Sequence, residues 1–230
     1  MRIEILEFAE GAGRARGLTV IIDVFRAFSV ACYAYDAGAI KVIATGGIND
    51  AFELKKLYRN SVLAGERNEK KIEGFDYGNS PTEIIKADLT GKIMIHTTTA
   101  GTRGLLNTSG PGPVITGSLV NAGAAARFIR NINPEHVSLV AMGYRGEESA
   151  DEDLLCAEVI ESILRGTEMN FDKKISDLRH SSGNRFFVNE NLDFSPPTDF
   201  FLCTLLNRFN FVLRAVRRTD GNIELEKIDV

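Results

Sequence analysis

Short apolar runs alternate with helix-patterned stretches along most of this chain, and no other feature of the sequence limits the fold as much. The runs are LTVIID (18–23), KVIATGG (41–47), SVLAGER (61–67), GKIMIHTTT (91–99), PVITGS (113–118) and VSLVAMG (137–143). Each is nearly continuous in β-branched or aliphatic residues, the pattern of a strand buried on both faces rather than one face. Between them, stretches such as FSVACYAYDAGA (28–39) and NDAFELKKLYRN (49–60) carry apolar residues at helical spacing, with glycine or Asn/Asp where a helix stops or starts. Strand-helix alternation of this kind predicts an α/β fold, with a largely parallel or mixed sheet covered by helices on both sides in three layers. EGFDYGNSPTE interrupts the rhythm, and Ser80-Pro81-Thr82-Glu83 there has the signature of a short helix with proline in its first turn.

The character changes near residue 167. From there to Arg218 the chain is rich in phenylalanine and contains Pro196-Pro197, and a polar tail follows. Residues 1–166 therefore read as the α/β core carrying the functional site. Residues 167–230 read as a C-terminal α+β segment or subdomain that packs on that core. The N-terminal MRIEILEFAEG mixes charged and apolar residues, and LTVIID is the first convincing strand.

The net charge of -4 and isoelectric point near 5.5 provide no long-range attraction for nucleic acid. No stretch approaches the roughly 20 apolar residues of a membrane span. Cys32, Cys156 and Cys203 are odd in number and far apart, which suits free thiols in a reducing, cytoplasmic compartment. An acidic chain with an apolar C-terminal segment is also compatible with a homodimer.

In open α/β sheets ligands bind beyond the carboxyl ends of the strands, so the residues after each run are the informative ones. These are Asp23 and Arg26; Glu66 and Arg67; Thr97, Thr98, Thr99, Gly101, Thr102 and Arg103; Ser118 and Asn121; and Arg145, Glu152 and Asp153. Carboxylates suit a hard divalent cation such as Mg²⁺, while arginine, hydroxyls and loop amides suit a phosphate-like anion. Plainer readings stand beside these. Asp23 has the position of a helix cap, and the acidic run SADED that of a dipole-matched first turn. TTTAGTR has the composition of strand residues running into a turn.

Several known phosphate chemistries are excluded. EGAGRARG precedes the first convincing strand instead of following it, and no lysine follows a glycine-rich loop. DVFRA lacks the second aspartate of the haloacid-dehalogenase phosphatases, and Cys203 and Arg208 are too close for a cysteine-phosphatase loop.

IIDVFRAFSVA, AGER with IEGFDYGNSPTE, HTTTAGTRGL, GSLVNA and ADEDLLCAE occur in an order and spacing that resembles the 2-phosphosulfolactate phosphatase family. The resemblance runs over most of the chain and includes DFFLCTLLNRFNFVLRA. It implies an α/β, Mg²⁺-dependent phosphatase that converts 2-phospho-3-sulfolactate to 3-sulfolactate on a route towards coenzyme M. The chain departs from the family at Ala100, where asparagine is common, and at Phe25 and Phe28. The expected site has Asp23 with Glu152 or Asp153 on Mg²⁺. Thr97, Thr98, Thr99, Gly101, Thr102 and Arg103 face the phosphate; Arg26, Arg67 and Arg145 face the other anionic groups; and Asn79, Ser80, Ser118 and Asn121 complete the pocket. Asp76 is open to three roles: support for another ligand, metal ligand or general acid. A non-catalytic domain that binds a phosphorylated or sulfonated metabolite is the alternative.

Overall fold

A computed structural model describes residues 1–230 and contains one ten-stranded mixed sheet between two sets of helices. In chain order the elements begin β1 (Arg2–Glu7), α1 (Phe8–Arg14), β2 (Leu18–Ile22), α2 (Ala27–Asp36), β3 (Lys41–Ala44), α3 (Ile48–Leu57), β4 (Ser61–Arg67) and β5 (Lys70–Lys71). They continue with α4 (Pro81–Ile84), β6 (Ile93–Thr97), α5 (Gly101–Asn107), β7 (Val114–Gly117), α6 (Ala122–Ile132) and β8 (His136–Ala141). The last are α7 (Asp151–Arg165), α8 (Phe171–His180), α9 (Pro197–Cys203), β9 (Phe211–Arg217) and β10 (Ile223–Asp229). No helix is long and apolar enough to cross a membrane.

Successive residues of β2 show why the fold has three layers. Ile21 enters the core under α1, α2 and α5, while Val20 and Ile22 enter the core under α6 and α7. A strand with both faces covered must be apolar throughout, which is why LTVII reads as a continuous run. Ser80 caps α4 by accepting from the Glu83 amide, and Pro81 occupies its first turn, as the NSPTE pattern predicts.

The strand order is β1-β8-β2-β7-β9-β10-β3-β6-β4-β5. β1, β8, β2 and β7 are mutually parallel, as are β3, β6 and β4; the antiparallel hairpin β9–β10 lies between the two blocks. Two features differ from the sequence reading. β1 is an edge strand whose outer positions are exposed, so it lacks a continuous apolar run. The C-terminal hairpin is not packed on a finished core: it lies within the sheet, β9 meeting β7 at Ile115 opposite Arg214 and β10 pairing with β3. Arg214–Arg217 and Glu226–Asp229 are partly or fully exposed, so the hairpin carries no continuous apolar run.

This topology makes the two parallel blocks run in opposite directions, because β9 reverses relative to β7, β10 to β9 and β3 to β10. In a flat sheet, the carboxyl ends of β2 and β6 would then lie at opposite edges. Twist of about 20–25° per strand accumulates to more than 90° across the five steps between them. The two ends meet: a side chain at Gly101 would lie 2.8 Å from the Asp23 carboxylate.

Candidate active site

That junction is a cavity. Asp23, Phe25 and Arg26 line it from the end of β2, Glu66 and Glu69 from β4 and its turn, and Asn79 from the NSP loop. Thr98, Thr99 and Ala100 come from the end of β6, and Gly143, Tyr144 and Arg145 from the end of β8. Arg185 comes from a 3-10 turn (Ser182–Phe187) in the C-terminal segment.

Asp23 is 6% exposed, and its Oδ1 accepts from the Ala27 amide at 3.0 Å. The aspartate is thus both a helix anchor and a cavity wall. Burial raises its carboxyl to about 7; the Ala27 amide opposes the shift, and repulsion from Glu66 and Glu152 adds to it. Asp153 is also pushed well above the carboxylate range, by burial first and then by Glu152 and Asp23. Its two oxygens accept from the backbone amides of Val24 (2.7 Å) and Gly143 (2.9 Å), so Asp153 ties the ends of β2 and β8 together.

Glu66 organises the threonine loop. One carboxylate oxygen accepts from the Thr99 amide at 2.6 Å, and the other from Thr99 Oγ1 at 3.1 Å and the Glu69 amide at 2.9 Å. Thr98 and Thr102 close the loop on itself: each amide donates to the other's hydroxyl at 3.2 Å, and Thr102 Oγ1 donates to the Thr98 carbonyl. Gly101 is required by contact, since a Cβ there would also lie 2.8 Å from Ala27 Cβ.

Other sequence-predicted residues are placed around this centre with different partners. Arg26 borders the cavity, but its guanidinium donates to Asp199 and the Phe194 carbonyl, each at 2.6 Å. Asp199 also accepts from Ser80 Oγ at 2.8 Å and the Thr82 amide at 3.0 Å, tying the NSP loop to α9. Asn79 pairs with His96 at 3.1 Å; burial and then Arg67 lower that imidazole to about 4, so it is neutral. Arg67 donates to Thr97 Oγ1, and with Arg103 it lines a shallow pocket on the other side of Thr98 and Thr99. Arg145 is exposed and stacks on Tyr144, 5.0 Å from its centroid.

Ser118, Asn121 and Asp76 do not line the cavity and have other partners. Ser118 and Asn121 form a reciprocal cap at the turn before α6, with Ser118 Oγ 2.6 Å from Ser29 Oγ. Asp76 is 43% exposed and binds the Leu63 amide and Lys55. Conversely, Glu69, Tyr144, Arg185 and Asp199 were not singled out from the sequence. Glu66 stands at a strand end like Asp23, a usable signal; Arg185 and Asp199 lie in a segment with no strand-loop-helix rhythm to mark them.

The carboxylates suit a divalent cation. Glu152 is 2% exposed, one of its oxygens has no hydrogen-bond partner, and Glu66 and Glu152 both repel the Asp23 carboxylate. No three His, Cys, Asp or Glu side chains form a preassembled cage. One or two carboxylates with water is the set Mg²⁺ commonly takes.

Residues 5–214 match the protein family described as 2-phosphosulpholactate phosphatase. A Clostridium beijerinckii protein named "Probable 2-phosphosulfolactate phosphatase" is 36% identical over 84% of this chain and 81% of its own length. A Bacillus subtilis protein of the same name is 30% identical over 90% of this chain and 89% of its own. A Caldanaerobacter subterraneus protein, also so named, is 40% identical over 66% of this chain, a match spanning 64% of that protein.

Proposed function

The chain belongs to the 2-phosphosulfolactate phosphatase family, and from that premise we propose that it is a phosphoric monoester hydrolase. Its proposed substrate is 2-phospho-3-sulfolactate, or a closely related small anionic phosphate monoester, hydrolysed to the alcohol and inorganic phosphate. The observation that carries this reading is the meeting of Asp23 with the threonine loop and Arg185 in one cavity, with buried Glu66 and Glu152 close enough to perturb Asp23.

Phosphoryl transfer needs positioning and charge compensation more than covalent machinery. Asp23 and Glu152 would hold Mg²⁺. When bound, the ion neutralises charge on the phosphoryl oxygens and lowers the pKa of a bound water. Glu66 fixes Thr99 and the Glu69 turn, so the loop carrying Thr98 and Thr99 is positioned before the substrate arrives. Gly101 lets that loop approach Asp23 without an intervening side chain. Asp153 fixes the backbone at Val24 and Gly143, beyond the ends of β2 and β8. Hydrolysis by direct attack of water, with no phosphorylated enzyme, is the proposed course. Three buried free thiols are consistent with a cytoplasmic setting.

The test is phosphate release from 2-phospho-3-sulfolactate with Mg²⁺ and with chelator. Metal-dependent release supports the reading, whereas tight binding of the ester without release at any divalent metal contradicts it.

A further inference from the structure

His96 is 1% exposed in the middle of the sheet, on β6 between Ala44 of β3 and Ala64 of β4. It shares a strand face with Met94, and Met94, Ala44 and Ala64 all belong to the apolar core under α2. A polar ring in such a place costs free energy unless it is hydrogen-bonded. Its side chain has one partner, Asn79, whose Oδ1 lies 3.1 Å from Nε2.

The loop that carries Asn79 is fixed on both sides. Tyr77 exchanges backbone hydrogen bonds with Leu63 and Gly65 of β4, and Ser80 Oγ donates to buried Asp199 at 2.8 Å. Asn79 is thereby held in the cavity wall, 6% exposed. What the backbone leaves open is which end of the amide faces the cavity. Burial and then Arg67 keep the imidazole neutral above a pH of about 4, so it has one N–H and one acceptor nitrogen. With Oδ1 outward, the amide would turn lone pairs towards a cavity already lined by Asp23, Glu66 and Glu69. With Nδ2 outward, Oδ1 accepts from Nε2–H and two N–H groups are offered to the cavity instead. Nδ2 has no protein partner and is not sealed from solvent. A fixed, uncharged donor of this kind suits an oxygen that arrives with its own charge.

We propose that Asn79 Nδ2 donates to the phosphoryl group of the substrate, and that His96 is the positioning residue that turns the amide this way. The proposal deepens the hydrolase reading and rests on it for the place of the phosphoryl group in the cavity. It gives the polar ring in an otherwise apolar stretch of β6 a task beyond holding the loop.

Calorimetric titration with inorganic phosphate at saturating Mg²⁺ tests it, on wild type, Asn79→Ala, His96→Leu, His96→Gln, His96→Asn and the double variant His96→Leu with Asn79→Ala. Losing a hydrogen bond to a charged group should weaken phosphate binding roughly 10- to 100-fold in Asn79→Ala. His96→Leu, which frees the amide without removing it, should lose about 2- to 10-fold. In the Asn79→Ala background, His96→Leu should change phosphate affinity by less than about twofold, because the group it positions is gone. Glutamine carries an amide nitrogen at the place of Nε2 and should restore binding, whereas asparagine, too short to reach, should not. Thermal melting checks folding; if His96→Leu does not fold, the comparison of His96→Gln with His96→Asn reads the same effect. Losses that add in the double variant, equal binding by the Gln and Asn variants, undiminished binding in Asn79→Ala, or no phosphate binding by wild type overturns the proposal. Wild-type protein that binds phosphate through Asn79 but releases none from the ester would refute the hydrolase and leave this site standing.

Discussion

Replacing Asp199 by alanine tests how the C-terminal segment is built into the site. Asp199 is fully buried and Arg26 is 4% exposed, with 2.6 Å between the charges. Asp199 also accepts from Ser80 Oγ and the Thr82 amide, so its removal strands a guanidinium and two further donors. Breaking a buried ion pair from one side costs about 3–5 kcal/mol. For a chain of this size, that corresponds to a melting temperature lower by roughly 6–20 °C. Urea denaturation followed by circular dichroism gives the free energy, and a thermal melt gives the second number. Substituting both partners with apolar residues, Arg26→Met with Asp199→Leu, leaves no charge behind and should cost less than Asp199→Ala alone. A single variant within about 1 kcal/mol of wild type, or a double variant less stable than the single, would refute the reasoning.

Two further outcomes follow from the same geometry. The Asp23 carboxyl is raised from 3.8 to about 7 on folding, so between those values the folded chain keeps a proton that the unfolded chain releases, and stability falls as pH rises. In chelator, the stability advantage of Asp23→Asn over wild type should therefore grow from pH 4 to pH 7 and then level off, and a gap independent of pH would contradict the burial argument. Gly101→Ala places a methyl 2.8 Å from both the Asp23 carboxylate and Ala27 Cβ. It should destabilise by about 1–3 kcal/mol and, by pushing the threonine loop off Asp23, cut kcat/KM by up to about 100-fold, measured by denaturation and phosphate release.

The sequence made the sheet's interior legible and its periphery obscure, for a physical reason. Strands covered on both faces, such as β2 and β8, must be apolar throughout and announce themselves. β1 at the edge and the hairpin β9–β10 have exposed positions and no such run. Strand-end logic led to Asp23, Thr98 and Thr99 because those residues follow apolar runs directly and line the cavity. It also led to Ser118 and Asn121, which follow β7 equally closely but spend their side chains capping the next helix. Arg185 and Asp199 reach the site through long-range folding of the C-terminal segment, at sequence separations of 160 and 173 from their partners Phe25 and Arg26. Nothing local marks such residues before the topology is known.

The most direct test of the hydrolytic centre compares phosphate release from 2-phospho-3-sulfolactate by wild type and by Asp23→Asn at saturating Mg²⁺, with both proteins shown to be folded. A centre built on Asp23 predicts turnover in wild type and a loss of more than about 100-fold in the variant. Undiminished turnover in Asp23→Asn would place the chemistry elsewhere in the molecule.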